Sequence, residues 1–206
     1  MSLMLIPDGE RNIKIALAYA TTDNFTGKIV YDVEKSADAG TPRAWLHENA
    51  KNALYRAADH AAVMGYGLLI LDAFRPTEAQ WRLWNHTPDP NFVADPRRGS
   101  PHSRGVAVDL TLLDGSGQPL DMGTPFDDFT PRSFHSDRSI SADSQRNRCL
   151  LLGIMTAAGW DFYQNEWWHY QLFTARDYPL LSDRDAPEPI MTLTAADGDL
   201  SKGRAV

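Results

Sequence analysis

A single cysteine in 206 residues, Cys149, excludes an internal disulfide and any all-cysteine metal site. It lies in the apolar run Cys149–Leu152 and reads as a buried, inert thiol rather than a nucleophile. No Lys/Arg block exceeds two residues, and the net charge is −7. The clustered positive charge that nucleic acid or an anionic membrane needs is therefore missing. Nowhere do about 18 apolar residues run consecutively, so no membrane-spanning helix is expected. Repeats at solenoid or propeller periods and low-complexity tracts are also absent. The segment Met1–Pro7 lacks a basic region, runs into Asp8, Gly9 and Glu10, and does not read as a signal peptide. The cytoplasm is the expected location.

What remains is an ordinary globular composition, 43% hydrophobic and 23% charged, at a length that suits one compact core. Ile13 to Ala20 alternates loosely as a first strand, followed by a turn at Asp23, Asn24 and Gly27. Leu46, Ala50, Ala53, Leu54, Ala57, Ala61 and Met64 recur in steps of three and four. They predict a helix over Ala44–Met64, with Pro42 in its first turn and Gly65 at its end. Gly67–Phe74 reads as a buried strand stopped by Arg75-Pro76, with Thr77 as the N-cap of a helix to about Trp84.

Residues 86 to 105 form a long loop rich in Pro, Asp, Arg, Gly and Ser, of the kind that is often functional in a compact domain. Val106–Leu113 alternates as a strand, with Val106, Val108, Leu110 and Leu112 on one face. Residues 114 to 139 read as mostly loop. A helix then starts near Ser141 and Asp143 and ends at Gly159, and Trp167–Phe173 is the last strand. Elements alternate without a regular βαβ cadence, which predicts an α+β fold: a small, mostly antiparallel sheet flanked by helices in a single domain. The domain is expected over residues 1–185, with a flexible C-terminal tail over 186–206 where Pro, Asp, Ala and Gly dominate.

Two short segments carry the chemistry: Ser100-Pro-His102-Ser-Arg-Gly105-Val-Ala107-Val-Asp109 and Glu166-Trp-Trp-His169. Together they supply two imidazoles and two carboxylates, the ligand types of catalytic zinc, which takes three protein groups and keeps one position open. Strand parity puts Asp109 with Ala107 and Thr111, opposite the Val/Leu face. His102, an odd seven residues earlier, must sit in the loop before the strand and turn back over it at Gly105. Glu166 and His169 differ by three, so Glu166 should lie just before its strand.

The resulting division of labour gives His102, Asp109 and His169 the metal and leaves Glu166 facing its water as general base. Arg75, at a strand end, suits stabilisation of a developing oxyanion. Singly, each residue has a plainer reading: a packed histidine, an exposed glutamate, a surface ion pair. Only the combination points to a metal site.

The pattern SxHxxGxAxD followed by ExWH resembles the D-alanyl-D-alanine dipeptidase family of VanX-type zinc metallopeptidases. Further likenesses fall in the same order: Tyr19–Lys28, Gly65–Pro76, Ser103–Leu112, Asp121–Asp127, Gln145–Arg148 and Glu166–Tyr170. The likeness as a whole covers roughly residues 10 to 182. The resemblance implies one zinc ion per chain on His102, Asp109 and His169, Glu166 as base and Arg75 as stabiliser. It also implies a confined pocket for a free small dipeptide, with Ser100, Asp127 and Tyr19 at the substrate.

A buried Asp127 suits a dipeptide's ammonium, though Asp128 beside it leaves the choice between them open. Pro101 departs from the pattern without removing a ligand, and His47, His60, His86 and His135 match no ligand position. Two other readings keep parts of the same evidence. One is a D,D- or L,D-carboxypeptidase or endopeptidase on peptidoglycan peptides using the same metal site; the other is a zinc-stabilised binding module. The donor set also accepts Co²⁺, Mn²⁺ or Fe²⁺, and nothing in the chain fixes an oligomeric state.

Overall fold

The computed structural model describes residues 2–32, 43–195 and 197. Its centre is a five-stranded sheet in the order β2 (Ile13–Ile15), β4 (Gly67–Asp72), β5 (Ala107–Leu113), β7 (His169–Leu172), β6 (Trp160–Phe162). Only β2 and β4 run parallel; every other pair in this sheet is antiparallel. A second, two-stranded antiparallel sheet joins β1 (Leu3–Ile6) to β3 (Ala44–His47). Three helices complete the α+β architecture: α1 (Glu48–Val63), α2 (Thr77–His86) and α3 (Ala142–Ala157). No helix of the described residues is long and apolar enough to cross a membrane.

The apolar stripe expected on α1 is buried at Ala50, Ala53, Leu54, Ala57 and Ala61. The helix starts later than its periodicity suggests. Ala44–His47 is instead a strand, tied to β1 along its length and to the site by Phe74 N–H donating to Trp45 O and His47 N–H to Gly105 O. Tertiary hydrogen bonds thus override a local helical pattern. His47 caps the true start, its Nδ1 accepting from Asn49 N–H at 3.2 Å. Pro42 lies outside the described residues.

Three further expectations are corrected. Thr77 is the first residue of α2 and Pro76 holds the cap position, where the fixed φ of proline favours helix entry. The strand expected over Ile13–Ala20 ends at Ile15 and is preceded by β1, and Ala18–Ala20 forms a 3₁₀ turn. Cys149 is exposed rather than buried, because α3 turns Leu151, Ile154 and Met155 inward and leaves Cys149 on the outer face. Of the segment beyond 185, Ile190 and Met191 are buried, with Asp183 accepting from both backbone N–H groups; residues 196 and 198–206 lie outside the described residues.

The sheet explains where the site forms. The end of β4 and the start of β7 flank β5 at Asp109, which lies directly opposite His169 on β7. A register shift between Ile70 and Asp72 sets Asp72 against Asp109 as well. Before β5, residues His102–Arg104 make a 3₁₀ turn closed by Gly105 at φ 66°. A Cβ at Gly105 would lie 2.5 Å from Leu3 Cδ2, so both the left-handed backbone and the close approach of β1 demand glycine there.

The segment bearing Glu166 is held from below. Trp167 N–H donates to Ser133 O, and His135 N–H donates to Gln164 O. Arg148 of α3 secures that support by donating to the carbonyls of Met122, Arg132 and Phe134. The His135 ring packs edge-on to Phe162, its Nε2 buried without a partner among the described residues. Burial, helped by the nearby Arg148 charge, lowers its pKa to about 4.

A histidine held neutral when folded binds fewer protons than the unfolded chain, whose histidine titrates near 6.5. Stability therefore falls as pH drops from about 6.5 towards 4, by about 1–3 kcal/mol at pH 4.5 from this residue. Urea titrations at pH 7 and 4.5 should show a smaller acid loss in His135→Gln than in the parent; equal losses would remove His135 as the cause.

Candidate active site

His102 Nε2, Asp109 Oδ1 and His169 Nδ1 converge in a buried cluster. The two imidazole nitrogens are 3.1 Å apart, and they lie 3.2 and 3.0 Å from the carboxylate oxygen. The outer nitrogens fix the tautomers. His102 Nδ1–H donates to Ala73 O at 2.7 Å, and His169 Nε2–H donates to Gln171 Oε1 at 3.3 Å. Both inner nitrogens are then lone pairs, aimed at each other and at a carboxylate. Three electron-rich atoms in mutual contact are a donor set that fits a cation, and among the described residues these three side chains form a group whose ligand atoms lie within 4.8 Å of one another.

The wider electrostatics agree. Four carboxyl groups, those of Asp72, Asp109, Asp127 and Glu166, face one guanidinium, that of Arg75. Burial opposes the charge on Asp109, and only positive charge on the imidazole side, from protonated rings or from a cation in their place, outweighs it and holds this carboxyl well below the usual range. Glu166 behaves oppositely. Burial, then the charges of Asp109 and Asp127, push its pKa well up, against a smaller opposing effect of Arg75. Its Oε2 stands 3.9 Å from His169 Nδ1, outside the convergent set but beside it.

Arg75 is fastened along one edge. Its Nε–H donates to Asp72 Oδ2 at 2.8 Å, and its Nη2 reaches the same oxygen at 2.7 Å and Asp109 Oδ2 at 3.4 Å. Asp72 is fully buried and also accepts from Tyr31 O–H at 2.7 Å. Burial works against the Arg75 charge, yet Asp72 and its neighbours keep the guanidinium protonated. The guanidinium lies over the Tyr19 ring, 5.0 Å from its centroid.

All eight residues singled out from the sequence line one cavity of about 600 Å³. Tyr19 O–H donates to Asp127 Oδ1 at 3.3 Å, while Asp127 Oδ2 is shielded from solvent and has no partner among the described residues. Burial first, and Asp109 second, raise the Asp127 pKa well above the carboxylate norm. Asp127 also sits at φ 60°, a strained conformation for a non-glycine residue and a common one at binding sites. Asp128 does not line the cavity. Ser100 Oγ accepts from His102 N–H at 3.2 Å, which leaves its own hydroxyl hydrogen free to donate. A cluster of Phe25, Phe129 and Phe92, with centroids 4.7 and 4.8 Å apart, stands at the outer wall.

Four contributors went unnoticed in the sequence: Tyr31, Asp72, Gln80 and Gln171. Two left a trace. Asp72 interrupts the otherwise apolar Gly67–Phe74 run, and Gln171 is two residues from His169, hence on the same strand face.

Comparison with known proteins follows the same lines. The Peptidase_M15 family model, described as D-ala-D-ala dipeptidase, matches residues 10–186. A D-alanyl-D-alanine dipeptidase of Escherichia coli (strain K12) is 43% identical over 181 residues, covering 88% of each chain. One from Enterococcus faecium is 39% identical, covering 78% of this chain and 85% of the relative. A third, from Streptomyces coelicolor, is 36% identical over 75% of this chain and 83% of its own. With that family's model matched across most of its length, this chain belongs to the D-Ala-D-Ala dipeptidase family and is a peptidase.

Proposed function

We propose that the chain is a zinc-dependent dipeptidase that hydrolyses D-alanyl-D-alanine to two D-alanines. The observation that carries this reading is the convergence of His102 Nε2, Asp109 Oδ1 and His169 Nδ1, with Glu166 just outside the set and Arg75 across from it. The substrate follows the relatives of three organisms, each a D-alanyl-D-alanine dipeptidase. Zinc bound to the three side chains supplies Lewis acidity and lowers the pKa of a coordinated water to about 7.

The protein's own groups do the rest. Asp127 receives the substrate ammonium, its second oxygen being buried and unsatisfied until a cation arrives. Tyr19, whose hydroxyl burial keeps protonated, donates to Asp127 and holds it in place. Ser100 offers its hydroxyl hydrogen to the substrate. Glu166, made a stronger base by its dry surroundings, takes the proton of the attacking water and delivers it to the leaving amine nitrogen. Arg75 stabilises the negative oxygen that develops at the scissile carbonyl.

A panel of free D-Ala-D-Ala, N-acetyl-D-Ala-D-Ala and a stem pentapeptide tests the reading, each with and without a chelator. The free dipeptide should be the best substrate, and zinc readdition should restore activity lost to chelation. Blocking the amine removes the partner of a buried carboxylate, at a cost of about 1–3 kcal/mol, so kcat/KM should fall about 10- to 100-fold. Preference for the pentapeptide would favour a D,D- or L,D-carboxypeptidase or endopeptidase instead. Turnover unaffected by chelation would overturn the metal.

A further inference from the structure

Arg75 carries five N–H donors, and their partners can be counted. Asp72 takes Nε–H and stands in ion-pair contact with Nη2 at 2.7 Å, Asp109 takes one Nη2 hydrogen, and Gln80 Oε1 takes one Nη1 hydrogen at 2.9 Å. One Nη1 hydrogen is left without a partner among the described residues, on a side chain that lines the cavity. Gln80 is itself 1% exposed, in the first turn of α2, and its Nε2–H donates to Ala94 O at 2.7 Å. Ala94 belongs to the irregular wall that includes Pro90 to Asp95.

The geometry points to Gln80 as a positioning residue: it occupies one Nη1 hydrogen so that the other faces the substrate, and it ties that orientation to the cavity wall at Ala94. The inference rests on the reading of Arg75 as oxyanion stabiliser. Asp72 and, at 3.4 Å, Asp109 hold the Nε–Nη2 edge of the guanidinium but leave tilt of the Nη1 end over the Tyr19 ring to be resisted. Gln80 supplies the anchor at the opposite nitrogen, Nη1. Its amide is suited to this in a way a carboxylate is not, because one end must accept from Arg75 while the other donates to a carbonyl. An oxyanion donor misplaced by a fraction of an ångström still carries charge into the site, so substrate binding survives while the benefit specific to the transition state is lost.

The test uses the zinc-loaded enzyme and D-Ala-D-Ala. Gln80→Met, similar in length and unable to make either bond, should lower kcat about 10- to 50-fold while KM stays within about threefold. Zinc content should not change. In an Arg75→Lys background the same substitution should lower kcat less than about threefold, since the group it positions is gone. Should Gln80→Met fail to fold, Gln80→Asn, polar but one methylene too short to reach Nη1, should give the same split. A kcat within threefold of the parent, or an equal loss with and without Arg75, overturns the role of Gln80 while leaving the dipeptidase reading intact. A parent enzyme that does not turn over D-Ala-D-Ala overturns that reading and takes this inference with it.

Discussion

Glu166→Gln should lower kcat for D-Ala-D-Ala by about 10²–10⁴-fold while the enzyme keeps its metal. The substitution preserves the size and polarity of the side chain and removes only its ability to take up a proton. KM should move little, because Glu166 acts on the water and the leaving nitrogen rather than on the dipeptide's charged ends. Metal retention follows from geometry: Glu166 Oε2 is 3.9 Å from His169 Nδ1, whereas the three convergent atoms lie 3.0 to 3.2 Å from one another. Steady-state kinetics paired with metal analysis of the same sample give both answers. Loss of bound zinc would make Glu166 a ligand. Activity within tenfold of the parent would mean that another group accepts the proton.

The placement of Glu166 outside the convergent trio was legible in the sequence, and the reason is local. A spacing of three across a strand boundary cannot put both side chains on one face, and a spacing of seven forces His102 out of the strand that carries Asp109. Both outcomes appear as His169 at the start of β7, with Glu166 before it, and as the His102–Arg104 turn. Short-range parity needs no knowledge of distant contacts. The choice between Asp127 and Asp128, by contrast, depended on a loop whose course no periodicity sets; only the cavity distinguishes them.

Other features were illegible for the same reason. β1 and β3 are four-residue strands that exist because they pair with each other, and nothing in Ala44–His47 separates it from the helix that follows. Cys149 looked apolar by its neighbours, but a helix sends successive residues in different directions, and its hydrophobic run does not share one face. The Gln80–Arg75–Asp72–Tyr31 chain joins residues from a helix, a strand end and an early loop. A glutamine in a helix is unremarkable until its partners are known.

Arg75→Lys should lower kcat about 10²–10³-fold, the range expected when one preorganised oxyanion donor is lost. Lysine keeps the positive charge between Asp72 and Asp109, so the fold and the metal should survive. It cannot keep the fork: a single ammonium reaches neither Gln80 and Asp72 together nor the Tyr19 ring with a flat face. Charge alone is therefore predicted to be insufficient, and a variant retaining a third of parental kcat would refute that.

Arg75→Ala separates the second role of this residue. It leaves Asp72 buried opposite Asp109 with its countercharge removed, a change that costs about 3–5 kcal/mol when one partner of a buried ion pair is deleted. Adding Asp72→Asn to Arg75→Ala should recover a large part of that stability, because no orphaned carboxylate remains, and recover none of the turnover. Urea midpoints and kcat measured across the three proteins should thus diverge. If the two quantities rose and fell together, Arg75 would act on the reaction only by keeping the site folded.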